Sequence, residues 1–196
     1  MSRVRGVFLI LLGVLFIGLA GFMLWKDADY IFLGKTEDLN EILENDGVPP
    51  RDSFVTYSCG VCMGNYAETR QYLNGLIPLP GTTQEFAVLG ENGMIFSVEA
   101  GKKALVSELT RLAEAEYEEG LASPVSLTGS VKTIDSEMRG FLEESFDPEE
   151  LEDYGLSLSY YVIDTTETRL TQGAMYGFLL LMGAALIVIA IRRVRA

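Results

Sequence analysis

Two uninterrupted apolar runs bracket the chain, and the residues between them change to shorter, mixed patterns. The first run, Val7–Trp25 (VFLILLGVLFIGLAGFMLW), is 19 residues without a charge, and the second, Gly173–Ile191, has the same length. A helix of that length reaches about 28 Å, close to one hydrocarbon core. Only a helix can satisfy its own backbone donors and acceptors there. The pattern predicts a tail over 1–6, a transmembrane helix over 7–25, one domain over 26–172, a second transmembrane helix over 173–191 and a tail over 192–196. Arg3 and Arg5, an apolar core and Gly18-Leu19-Ala20 also fit a cleavable signal peptide. The run continues through Phe22-Met23-Leu24-Trp25, which is long for a signal core and favours a retained span.

Between the spans the pattern predicts alternating helices and strands. Thr36–Leu43 reads as a short amphipathic helix capped by Thr36, with Leu39, Ile42 and Leu43 on its apolar face and Asp46-Gly47 and Pro49-Pro50 ending it. Phe54–Cys59 alternates as a half-buried strand. Tyr72–Leu79 reads as another strand, closed by Pro78 and Pro80, with Gly81-Thr82-Thr83 as a turn. Phe86–Leu89 and Met94–Val98 flank Gly90-Glu91-Asn92-Gly93. Asn-Gly tolerates positive φ at both turn positions, so a tight hairpin is expected, central and covered on both faces.

Lys102–Glu119 follows the helical period through Leu105, Leu109, Leu112 and Ala113, and Gly120 stops it. Pro124–Ile134 reads as a strand, with Gly129 marking a bulge or a close backbone approach. Asp135 opens a helix with Met138, Phe141 and Leu142 inward. Asp147-Pro148 starts a second one that Gly155 ends, and Leu156–Ile163 is the last strand. The expected fold class is α+β: a curled antiparallel sheet or small partly open barrel with covering helices, flanked by two transmembrane helices.

Charge adds a direction. Arg3, Arg5, Arg192, Arg193 and Arg195 lie outside the apolar runs, whereas 26–172 holds 10 basic and all 28 acidic residues, a net −18. Basic residues beside spans stay cytoplasmic, so both tails are expected inside and the acidic domain outside. Trp25, Tyr30 and Tyr176 then stand where an outer aromatic belt would form. A domain of that charge is not expected to bind nucleic acid or an anionic lipid surface.

Candidate chemistry is sparse. There is no histidine, which removes His-based general bases, Ser–His and Cys–His nucleophiles and most zinc enzyme sites. Cys59-Gly60-Val61-Cys62 holds the only two cysteines, spaced as a redox pair. Thioredoxin-type chemistry needs a helix N-terminus at the first cysteine, and Gly64-Asn65 follow too soon for a good helical period. A structural disulfide, or two packed thiols, is the plainer reading. The acidic run Glu143–Asp153, and Glu114, Glu116, Glu118 and Glu119, could offer oxygens to Ca²⁺, but they lack EF-hand order and fit solvated helix faces. No cofactor is expected.

Small residues mark helix-packing positions. Gly6, Gly13 and Ala20 recur every seven residues, and Gly173 and Gly177 form a GxxxG with Ala184 seven positions beyond. Their partner is either the other span or a second copy of the chain. Neither apolar core carries an ionisable residue, which argues against a transporter built from this chain alone.

Gly64-Asn65-Tyr66-Ala67-Glu68-Thr69, with Ile77-Pro78, Gly81-Thr82 and the hairpin after them, resembles a group of uncharacterised clostridial-type (Firmicutes) two-span membrane proteins. The resemblance covers about the middle third of the chain. It implies an outer domain between two spans, an extended path after Cys62, and no particular activity.

The reading that follows is a membrane-anchored extracytoplasmic interaction or assembly module without catalysis of its own. Its expected partners are the lipid bilayer and another membrane or envelope protein, with homo-oligomerisation through the spans as a further expectation. The alternatives are an envelope thiol–disulfide protein using Cys59 and Cys62, and an extracytoplasmic ligand-sensing domain.

Overall fold

The computed structural model describes residues 2–45, 47–73, 77–115 and 123–195. The chain divides into two compact units, one of residues 1–35 with 168–196 and one of residues 36–167.

The first unit is a helix pair. α1 (Ser2–Lys26) and α6 (Arg169–Arg195) are each long and apolar enough to cross a membrane. They extend past the expected spans because the flanking arginines continue the helices without breaking them. The two helices meet at glycines. A Cβ on Gly13 would lie 2.7 Å from the Gly183 carbonyl oxygen, and one on Gly183 would lie 2.7 Å from that of Gly13. α1 continues to a π-helical turn (Asp29–Leu33) that Gly34 closes in the left-handed conformation, φ 68°. The carbonyls this turn leaves open are taken up by Arg169, which donates to Ile31 O (2.9 Å) and Phe32 O (3.1 Å). The Tyr176 hydroxyl meets the Asp27 carboxylate and the Gln172 side chain. Tyr30 and Tyr176 are both buried, so neither presents its ring outward as an aromatic belt requires. The exposed apolar residues at that end are Trp25, Phe32, Leu33 and Leu170.

The Gly13–Gly183 contact gives a direct prediction. Gly183→Leu should cost about 1–3 kcal/mol, read as lower resistance of the full chain in micelles to denaturant. Ala184→Leu, on an exposed position one residue further on, is the matched control and should leave stability unchanged.

The second unit is a seven-stranded open mixed sheet in the order β1-β2-β6-β7-β5-β4-β3. Its strands are β1 (Glu37–Asp38), β2 (Phe54–Cys59), β3 (Val61–Leu73), β4 (Ile77–Leu89), β5 (Met94–Ala100), β6 (Val125–Thr133) and β7 (Ser157–Asp164). The expected all-antiparallel arrangement fails at two places: β1 runs parallel to β2, and β5 parallel to β7. The first pair is joined through a short helix (Leu39–Glu44), and the second arises from two further helical connections. α3 (Lys103–Ala115) carries the chain from β5 to β6, and α4 (Ser136–Ser145) with α5 (Pro148–Asp153) returns it, so the last strand enters between β6 and β5. The sheet is not a closed barrel, yet it curls. β2 stands next to one margin and β3 forms the other, and Gly60 alone separates them in the chain. Across this corner the Tyr57 hydroxyl donates to the Leu89 carbonyl at 3.1 Å.

Each face of the sheet carries its own core. On one side Val55, Tyr57, Phe86, Val88, Phe96, Val98 and Ile163 pack with Leu39 and Leu43 of α2 (Leu39–Glu44) and Leu109 and Leu112 of α3. On the other, Ala87 and Ile95 pack with Leu142 of α4 and Leu151 of α5. The β4–β5 hairpin is thus covered on both faces, as its unbroken apolar runs require.

Several local expectations change. Gly81-Thr82-Thr83 is not a turn: β3 and β4 form one long hairpin, with Thr69 opposite Thr83 and Arg70 opposite Thr82. Only Gln84–Leu89 of β4 also pairs with β5, so Pro78 and Pro80 lie where no second ladder needs their missing N–H. Asp38, not Thr36, caps α2, because Thr36 is drawn into a hydroxyl contact with Thr56 (2.7 Å). In the Gly90–Gly93 turn only Gly93 has positive φ, 76°, and Asn92 instead accepts from the Met94 N–H. Phe141 is exposed, while Leu142 carries the burial of α4. The predicted end of the third helix, with Glu116, Glu118, Glu119 and Gly120, lies outside the described residues, as does Asp46.

Candidate functional site

Three carboxylates line up across the sheet. Glu85 of β4 is opposite Glu99 of β5, Glu99 is opposite Asp164 of β7, and Asp164 is opposite Ser130 of β6. Alternation along each strand puts all four on the face that carries Ala87 and Ile95. The hairpin sets this register, because Glu85 and Glu99 lie at equal distances along the chain on either side of Asn92 in the turn.

The members of the row have different environments. Asp164 accepts from Lys132 Nζ and from the backbone N–H and hydroxyl of Thr166. Burial alone would raise its pKa, but the ammonium and the Thr166 bonds outweigh that and hold it below the ordinary value. Lys132 also donates to Glu167 at 2.8 Å, and these two partners raise its pKa against the opposing effect of burial. Ser130 donates to Glu167 at 3.0 Å. Glu99 is raised, first by burial and then by the Asp164 charge, with the nearby Thr83 hydroxyl and Lys132 opposing.

Glu85 is the extreme case. It is 5% exposed and makes no hydrogen bond to a described residue. Its pKa is pushed up to about 8, first by burial and then by the charges of Glu99, Asp164 and Asp135. The Tyr66 hydroxyl of β3, on the same side, is engaged with Ser97 at 2.7 Å. This corner therefore sets a carboxyl held well above the ordinary carboxylate range beside an Asp164 held below it and one committed lysine. Among the described residues no group of three His, Cys, Asp or Glu is placed to hold a metal ion.

The cysteines stand elsewhere. Cys59 ends β2, Cys62 lies in β3, both are buried thiols, and Cys59 Sγ donates to the Val61 carbonyl at 3.4 Å. Cys62 is inside a strand, so neither thiol stands at the helix N-terminus that thioredoxin-type chemistry needs. Beside this corner an open groove of about 660 Å³ is lined by Asp38, Asn40, Tyr57, Gly60, Val61 and Glu91. Glu91 lies against Glu44, and that contact raises the Glu44 pKa.

The acidic run 143–153 is divided between helices. Glu143 accepts from Arg139 and Tyr160, and Asp147 caps α5. Of the small residues in the helix pair, Gly6, Gly13 and Ala20 are all buried. Among the described residues of α6 the buried positions are Gln172, Tyr176, Gly183 and Ala190, the last three again seven apart. Gly173 has only Ile31 near its Cβ position at 3.7 Å, Gly177 has nothing within 4 Å, and Ala184 is exposed. The GxxxG spacing selects a stripe about a third of a turn away from the one that meets α1.

The carboxylate row was not singled out by sequence reasoning. Its trace was present: Glu85 directly precedes one buried apolar run, and Glu99 directly follows its hairpin partner. In comparisons with known proteins, no family model, no curated protein and no solved structure matches this chain.

Proposed function

We propose that the protein is a two-span membrane protein with both tails cytoplasmic, whose acidic 36–167 unit acts outside the cytoplasm as a non-catalytic interaction or assembly module. The observation that carries this reading is the surface of the helix pair. Away from the Gly13–Gly183 contact, Phe8, Leu11, Leu15, Phe178 and Leu181 are exposed, and an apolar surface of that kind calls for hydrocarbon around it. The arginines at 3, 5, 192, 193 and 195 supply the orientation. The module reading rests on a folded unit with two covered cores whose outer helices, α4 and α5, present acidic residues and the exposed Tyr154. The buried positions of Cys59 and Cys62 give thiol–disulfide chemistry no support.

Two experiments test this. Alkaline phosphatase inserted beside the exposed Val48 should be active, and a fluorescent protein fused after Ala196 should fold in the cytosol. The reverse pattern would invert the topology. A photo-cross-linking residue in place of Tyr154, in cells at native expression, should give one discrete adduct. A ladder of unrelated adducts, or none, would remove the module reading while leaving the topology standing.

A further inference from the structure

We infer that Glu85 keeps its proton while the sheet is closed, and that opening of the β4–β5–β7 end expels it, so that the carboxylate row is a pH-responsive latch. The inference goes beyond the membrane reading and does not depend on it. It starts from geometry. Glu85 is nine-tenths buried, has no hydrogen-bond partner among the described residues, and lies in register with Glu99, which lies in register with Asp164.

The groups facing it are named by the elements packed there: Tyr66 from β3, Glu99 from β5, Asp164 from β7, Lys132 from β6, Asp135 at the N-cap of α4, and Glu167 after β7. Lys132 is the one cation among them, and it is bound to Asp164 and Glu167. Arg139 of α4 is committed to Glu143 and to the Tyr160 ring. Lys132 thus already serves two carboxylates, a further ionised one in the row has no countercharge among these groups, and a proton on Glu85 is what lets the row close.

The same row fastens the chain beyond β7. Thr165 donates to the Glu99 carbonyl through its hydroxyl (2.7 Å) and its N–H (3.1 Å), and Asp164 accepts from Thr166. Opening this end releases residues 164–167, the segment that leads into α6.

The sign follows from linkage. Burial and the neighbouring charges raise Glu85 from 4.5 to about 8. The stabilisation is complete below 4.5 and is lost as pH rises toward 8, where the closed state also ionises. One proton changes the opening equilibrium by at most tenfold per pH unit.

Amide hydrogen exchange on the full chain in nanodiscs, corrected for intrinsic base catalysis, reads this directly. Between about pH 5 and 8, protection of the Glu85, Glu99 and Ala100 amides should fall more steeply with pH in the wild type than in Glu85→Gln, by up to tenfold per unit. Glu99→Gln removes a negative neighbour, so the levelling-off near the upper limit should move to lower pH. Equal slopes in wild type and Glu85→Gln would overturn the latch. If Glu85→Gln does not fold, an unmoved levelling-off in Glu99→Gln would overturn it. Millimolar Ca²⁺ or Mg²⁺ is expected to leave the wild-type profile unchanged, and a profile flattened by either cation would replace the latch with a metal site.

Discussion

Phe96→Ala is expected to lower the unfolding free energy of the 36–167 unit by about 3–5 kcal/mol. Phe96 is fully buried in the middle of β5, with its ring 5.2 Å from those of both Tyr57 and Tyr161. Those tyrosines come from β2 and β7, so one side chain ties three strands together inside the curl of the sheet. Truncation leaves a cavity lined by the Tyr57 and Tyr161 rings, which their strands hold in place, so the site collapses only in part. Denaturant titration of the full chain in micelles, followed by tyrosine near-UV circular dichroism, measures the change. Val48→Ala, at an exposed position, is the control. A loss under about 1 kcal/mol would mean that the three rings do not form one packed unit.

Gly129→Val is expected to rank next, at about 3 kcal/mol, the upper end of overpacking costs. A Cβ on Gly129 would lie 2.5 Å from the Asp164 carbonyl oxygen and 2.8 Å from its carbonyl carbon. Both are backbone atoms, so no side chain can swing away to make room. The backbone angles of Gly129 suit any residue, which makes the penalty steric and not conformational. Gly129→Ala should cost less but more than 1 kcal/mol, because the first carbon already collides. Equal stability of Gly129→Ala and wild type in the same titration would contradict this account. The variant also presses on Asp164 from behind, so it should disturb the carboxylate row.

What could be read from the sequence depended on how local its cause was. The two apolar runs, the β4–β5 hairpin and the closeness at Gly129 follow from patterns a few residues long, and the structure has them. The helix end expected at Gly120 lies outside the described residues. The strand order was not legible, because it depends on α3, α4 and α5 carrying the chain across the sheet to bring Ser157–Asp164 beside Met94–Ala100. The long β3–β4 ribbon was hidden because its threonines and prolines look like turn signals when taken without a partner strand. The carboxylate row was missed for a similar reason. Glu85, Glu99 and Asp164 each look like a polar residue at the end of a strand, and only the register brings them together. The stripe on α6 that meets α1 was displaced from the GxxxG spacing, because Gly183 approaches Gly13 while Tyr176 is held by its hydroxyl contacts.

The position of β7 has a consequence for biosynthesis. The last strand made is the one that sits between β6 and β5. Until it is available, the nascent chain can offer only two half-sheets, β1-β2-β6 and β5-β4-β3, each with a raw edge. Assembly is therefore postponed until synthesis has almost reached α6, and distant pairings of this kind are slow to form. A ribosome that stalls before Ser157 releases a product with two unsatisfied strand edges, the kind of surface that quality-control proteases and chaperones recognise.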